Sequence, residues 1–96
     1  MLCDFCSLPA QAWRYPAASF YDMFGGRSVA DWLACEECHE LIVAGDRNAL
    51  VRRSMRAPGV QIAVGVLGRS LALDYCRDLH ERFWNARRGA AFRMSA

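Results

Sequence analysis

A chain of 96 residues with a formal net charge of +2 and 54% hydrophobic side chains makes one small domain that buries only a limited share of its surface and gains from a covalent or metal staple. No run of about 18 apolar residues could span a bilayer, and no basic start leads into an apolar stretch with a small-residue cleavage site, so a soluble, cytoplasmic chain without membrane contact is expected. The modest net charge is also short of what a dedicated polyanion binder would carry.

The chain opens on Cys3-Asp4-Phe5-Cys6, and a second pair, Cys35-Glu36-Glu37-Cys38, follows after the hairpin region. A two-residue spacer lets one tight turn present two thiolates to one ion, so two such turns complete a tetrahedron of sulfur. One zinc ion is the expected occupant; iron or an iron–sulfur cluster is the rival that four thiolates also suit. A shell closed by four protein ligands leaves no position for water or substrate, so the metal is expected to hold the fold and not to do chemistry. Its contribution is large on the scale of a small domain: an apparent ~10–16 kcal/mol for zinc in short peptides against a typical whole-domain stability of ~5–15 kcal/mol. Five cysteines without a secretory leader fit metal binding in a reducing compartment better than a disulfide framework.

Between the pairs, Trp13-Arg14-Tyr15-Pro16 and Ser19-Phe20-Tyr21-Asp22-Met23 are rich in aromatics and lead to a turn at Gly25-Gly26. Pro9 and Pro16 oppose long strands, so a short irregular hairpin is expected, with Trp13, Tyr15, Phe20, Tyr21, Phe24 and Trp32 forming a small core beside the metal. From Cys35 the pattern turns helical. Glu36, Glu37 and Glu40 complement the positive end of a helix, Leu41, Ile42 and Ala44 form its buried face, and Gly45 ends it. Asp46 can cap a second helix with Ala49, Leu50 and Val51 inside, before Pro58-Gly59 breaks the run.

Residues 60–88 read as one long helix. Val64, Leu67, Leu71, Tyr75, Leu79, Phe83 and Ala86 recur at three- and four-residue steps, and Val66, Leu73, Cys76, His80 and Trp84 make a second stripe beside them. A strand over 60–67 is the rival, because Val60, Ile62, Val64 and Val66 alternate. The tail from Arg87 is expected to fray. The expected fold class is therefore α+β, mostly α: a small zinc-stabilised knuckle and hairpin, two short helices and a long C-terminal helix. Residues 1–57 form the four-cysteine module, and residues 58–96 pack on it within one compact domain.

A Cys-x2-Cys knuckle, a hairpin, and a second Cys-x2-Cys at the start of a helix resemble the treble-clef and zinc-ribbon-like domains over about residues 1–45. Cys-Asp-Phe-Cys, Trp-Arg-Tyr-Pro, Cys-Glu-Glu-Cys-His-Glu-Leu-Ile with Ala-Gly-Asp-Arg, and Leu-His-Glu-Arg-Phe-Trp are similar to short zinc-binding proteins of high-GC Gram-positive bacteria and their phages, a likeness that implies no activity. Treble-clef nucleases need a histidine base on the hairpin, yet His39 and His80 both lie outside residues 7–34. His39 reads as a group capping near the site, His80 as a satisfied core histidine, and Cys76 as a small buried hydrophobe.

The expected function is thus a non-enzymatic, zinc-stabilised adaptor or regulator that binds a larger protein, by analogy one of the transcription machinery or of a phage. Two adjoining apolar stripes exceed what a small knuckle can cover, so Tyr75, His80, Phe83 and Trp84 are the candidate partner contacts. A homodimer burying the second stripe is the simplest form of the same idea. The alternative is nucleic-acid binding. All twelve basic residues are arginine, a preference that coding bias accounts for. Nine arginines but three acids fall in residues 49–96, against three arginines and seven acids in residues 1–48. Arg52, Arg53, Arg56, Arg87 and Arg88 are the candidate phosphate contacts, although Asp74, Asp78 and Glu81 interrupt the basic half.

Overall fold

The computed structural model describes residues 2–9, 11–29 and 31–94, without the side chain of Gln11. Strand β1 (Gln11–Tyr15) is followed by a small hairpin of β2 (Phe20–Tyr21) and β3 (Arg27–Ser28), and then by β4 (Trp32–Cys35). Helices α1 (Glu36–Ala44), α2 (Arg47–Ser54), α3 (Pro58–Leu67) and α4 (Arg69–Ala86) come next, and β5 (Phe92–Arg93) closes the chain. Strands β4, β1 and β5 make an antiparallel sheet in that order, with Tyr15 opposite Trp32, Arg14 opposite Leu33 and Trp13 opposite Ala34. The architecture is α+β and mostly helical, with the long helix at its C-terminal side.

Every residue of β4 is buried, although β4 lies at an edge of its sheet. The free edge is covered by the first cysteine turn. The Asp4 N–H donates to the Leu33 carbonyl at 2.8 Å, and the Leu33 N–H donates to the Asp4 carboxylate at 2.6 Å. Asp4 thus serves Leu33 as a neighbouring strand would, which satisfies the backbone groups that an open edge leaves unpaired.

The junction between α1 and α2 follows its local sequence. Gly45 adopts a left-handed conformation with φ 69°, its N–H donates to the Ile42 carbonyl at 3.0 Å, and the Asp46 N–H donates to the Leu41 carbonyl at 3.0 Å. These are the two bonds of a Schellman stop, and a residue with a Cβ is disfavoured at that φ. The Asp46 carboxylate then accepts from the Ala49 N–H at 3.1 Å and caps α2, satisfying one of the donors a helix start leaves open.

The stretch over residues 60–67 is helix and not strand, but the long element expected over 60–88 is two helices. Pro58 stands in the first turn of α3, a position where its missing N–H costs nothing. The chain breaks at Gly68 with φ 87° and ψ 156°, a combination essentially reserved to glycine. Periodicity counts apolar residues and is blind to such a break. The tail is not frayed over residues 87–94. Arg88 N–H donates to the Pro16 carbonyl at 2.7 Å and Met94 N–H to the Ala12 carbonyl at 2.8 Å, so β5 becomes the third strand beside β1. Ser95 and Ala96 lie outside the described residues.

Phe83 joins the last helix to the metal half. It is 0% exposed, with ring centroids 4.9 Å from Phe5, 5.0 Å from Trp32 and 5.7 Å from Tyr15. The buried face of α4 is Ala72, Cys76, His80 and Phe83, a seam that takes Cys76 and His80 from the second stripe read from the sequence, Phe83 from the first, and Ala72 from neither. Phe83 and His80, 0% and 4% exposed, are therefore packed in the core and offer a partner almost no surface, against the expectation that they meet one. Tyr15 and Trp32 are core as expected, whereas Tyr21 and Phe24 on the hairpin are exposed. Truncating Phe83 to Ala should cost about 3–5 kcal/mol in chemical unfolding of the metal-loaded protein; a loss below about 1 kcal/mol, within what ordinary surface substitutions cost, would contradict its central packing role.

Candidate metal centre

The two cysteine turns are built differently and meet face to face. In the first, the Ser7 N–H donates to the Cys3 carbonyl at 3.0 Å and the Cys3 N–H to the Leu8 carbonyl at 2.8 Å, and Ser7 takes a positive φ of 65° to complete the reversal. In the second, β4 delivers Cys35 in extended conformation to the N-cap of α1, which places Cys38 in the first helical turn. The Cys35 N–H donates to Cys3 Sγ at 3.3 Å and the Cys38 N–H to Cys35 Sγ at 3.5 Å. The Cys35 amide, at the start of the helix, favours thiolate at Cys3.

Cys3, Cys6, Cys35 and Cys38 are all buried, and their sulfurs lie within 4.8 Å of one another. The Cys6 and Cys35 sulfurs are 3.7 Å apart. A metal–sulfur bond of about 2.3 Å in a regular tetrahedron puts the sulfurs roughly 3.8 Å apart, so the cluster has the dimensions of a single-ion site after small inward adjustments. All four are free thiols; at these distances they could hold one metal ion.

The electrostatics of the sulfur cluster lead to the same assignment. The Cys3 thiol is pulled down to about 4, first by the Cys38 thiol donating to it and then, against burial, by backbone donors including the Cys35 N–H. Cys38 moves the opposite way, because its hydrogen bond to Cys3 holds the proton on its own sulfur and burial adds to this. Cys6 is pushed up by burial. Thiolates this close repel one another, and a divalent cation is what lets all four ionise together.

Arg53 reaches the cluster from α2. Its Nη2 lies 3.8 Å from Cys35 Sγ, and its Nη1 pairs with Glu37 at 2.6 Å. A guanidinium here offsets part of the double negative charge that four thiolates leave around a divalent ion. Sequence reasoning placed Arg53 among phosphate contacts and missed this role, as it missed Asp4. Only the helix-to-helix turn at Gly45, which folds α2 back along α1, brings residue 53 to residue 35.

His39 is not among the clustered donors. Its ring stacks on Trp13, with centroids 3.7 Å apart and planes 8° from parallel, and its Nδ1 bonds the Tyr15 hydroxyl at 2.5 Å. Glu36 accepts from Trp13 Nε1 at 3.2 Å and from Arg93 at 3.0 Å. These contacts fasten β1 and β5 to the start of α1. His80 bonds the Ser54 hydroxyl at 3.0 Å, and burial lowers its pKa to about 4. Cys76 is buried and its pKa raised by that burial, the state of an inert core thiol.

The remaining candidates are dispersed. Tyr75 is half-buried, donates to Asp22 at 3.0 Å and stacks on Phe24. Trp84 is flanked by Arg47 at 4.6 Å and Arg87 at 5.3 Å from its ring. Arg52 and Arg56 are exposed and share a depression with Arg69. Arg87 is half-buried against Tyr15, and Arg88 is exposed; neither lines that depression. Compared with known proteins, the chain matches no family model, no curated protein and no solved structure.

Two outcomes are expected. Replacing Arg53 with Gln should keep one metal per chain but weaken its retention about 10–100-fold against a competing chelator; unchanged competition would remove Arg53 from the site. For His80, the unfolded chain takes up the proton near the ordinary 6.5 while the folded chain resists it down to about 4. Stability should therefore fall as pH drops through that window, by about 3 kcal/mol in full. His80→Gln should remove that part of the acid sensitivity and leave the part due to thiolate protonation, so parallel stability profiles for variant and parent would count against it.

Proposed function

We propose that this chain is a non-enzymatic protein-interaction module, an adaptor or regulator held together by one structural zinc ion on Cys3, Cys6, Cys35 and Cys38. Zinc suits a compact tetrahedral set of sulfurs with no donor of another type in the cluster. Knuckle, strand pair and a helix that begins on the second cysteine pair support a treble-clef-like reading of residues 3–44. A shell filled by four cysteines leaves no open coordination position, so the ion's expected contribution is folding energy and not substrate activation.

The observation that carries the adaptor reading is α3. Its ten residues, Pro-Gly-Val-Gln-Ile-Ala-Val-Gly-Val-Leu, contain no charge and none is buried. Ile62 and Val66 are 70% and 77% exposed. A helix of that composition normally lies inside a protein, and an apolar surface left outside marks a place where something docks. Binding a larger protein, in a cytoplasm that keeps the thiols reduced, is the function that fits both features.

Nucleic-acid binding stands second. Arg52, Arg56 and Arg69 gather around a depression of about 250 Å³, which suits a phosphate better than the scattered remainder of the arginines. Binding to arbitrary DNA that falls steeply with salt would favour it, and a salt-insensitive interaction would favour the adaptor.

Metal removal decides the structural part. Native mass spectrometry should find one zinc per chain, and Cys35→Ser should lose the ion together with much of the helical circular dichroism. A strong chelator should unfold the parent protein. Full melting behaviour after complete metal loss would refute a structural ion, and visible absorption from iron would refute zinc.

A further inference from the structure

We propose that the exposed face of α3 closes on a second copy of this chain, forming a two-fold dimer. The proposal rests on the reading of α3 as a docking surface and gives that surface to a second copy in place of a larger protein. Beside α3 runs an apolar groove of about 340 Å³ lined by Phe24, Val60, Ala63, Leu67 and Tyr75. Ile62 and Val66, on the outer side of the same helix, form a crest with no contact in the core clusters. Crest and groove are thus neighbours on one surface, and both are apolar.

The borders of this surface carry opposite charge. Tyr75 also lines the next depression, where Asp4, Asp22 and Asp31 gather with one arginine, Arg27. Asp22 is held ionised: desolvation opposes this, but the Gly26 N–H, the Tyr75 hydroxyl and the Phe24 N–H all donate to it and together lower its pKa. On the other flank of α3, at Gln61, lies the depression with Arg52, Arg56 and Arg69. Across the molecule the order is therefore acidic edge, groove, crest, basic edge.

That order is self-complementary under a two-fold rotation. A second copy turned by 180° presents basic edge, crest, groove, acidic edge, which seats each crest in the facing groove and sets each basic edge on an acidic one. An isologous interface requires such a pattern, the same patch serving on both sides. Homodimer interfaces are also the more apolar class. An anionic membrane would be attracted by one border and repelled by the other, and an unrelated protein would have to carry the inverse charge order independently. A copy of the chain carries it by construction.

The test uses the full-length, zinc-loaded protein. Sedimentation across a wide concentration range should show a dimer, and Ile62→Glu and Val66→Glu should each weaken association at least about a hundredfold, since a carboxylate would be buried without a partner. Zinc content should stay at the parent value, and melting temperature should match the parent's at dilutions where both are monomeric, because both side chains are exposed in the single chain. Arg69→Glu should weaken the dimer at low salt. A parent protein that stays monomeric throughout, or glutamate variants that stay dimeric, would overturn the proposal. A photo-crosslinking residue at position 62, activated in living cells, separates the two readings. An adduct of two chains supports the dimer, an adduct with a different protein overturns it while leaving the adaptor intact, and no adduct at all sinks both.

Discussion

Four sulfurs packed within 4.8 Å in a buried place are the constraint on which the rest of this structure depends. Thiolates that close repel one another, and thiols that close offer each other only weak hydrogen bonds. The arrangement has a low free energy when a cation binds all of the sulfurs at once. The two turns that supply them are thirty-odd residues apart in the chain, so whatever joins the sulfurs also closes the hairpin region into a loop. That loop carries the aromatic residues that fill the space beside the metal site.

Around the sulfurs, each neighbouring group serves two purposes. Asp4 stands inside the first turn and also completes the edge of β4. Cys35 is a sulfur donor, the last residue of a strand and the cap of a helix. Phe5, between the first two cysteines, meets Phe83 of the last helix edge-on at 4.9 Å. Disturbing the sulfur cluster would therefore disturb a strand edge, a helix start and the seat of α4 together, and the response of so small a domain should be cooperative. Arg53 adds a cation at the border of the cluster, which would moderate the charge of four thiolates on a bound ion.

The surface divides by function in the same economical way. The aromatic and arginine contacts of Trp13, Trp84, Arg87 and Arg93 lie on intramolecular seams, where they fasten strands and helices to one another. Exposed apolar side chains occur over much of the surface, from Leu2 and Val29 to Val43 and Phe92, and α3 with the groove beside it contributes Phe24, Ile62, Val66 and Leu67. A run of such residues on one uncharged helix is the kind of patch that serves association.

How much of this was legible in the amino-acid sequence depends on the range of the interaction. The sulfur set, the helix that starts at Cys35, its stop at Gly45 and the cap at Asp46 could all be read directly, because spacing and capping act over a few residues. Helix periodicity from Ser70 onward was equally plain. The choice of inward face was not: the seam joins Cys76 and His80 of the second stripe to Phe83 of the first, with the small Ala72 from neither, so no single stripe marked it. Gly68 looked like one weak residue in a long pattern, and only its backbone conformation divides the helix. The tail became a strand because β1 had a free edge within reach. Arg53 found Cys35 because α2 folds back along α1. Sequence alone determined the local chemistry; the tertiary structure decided which surfaces meet, since the energy of burying them belongs to pairs of segments distant in the chain and is carried by neither segment by itself.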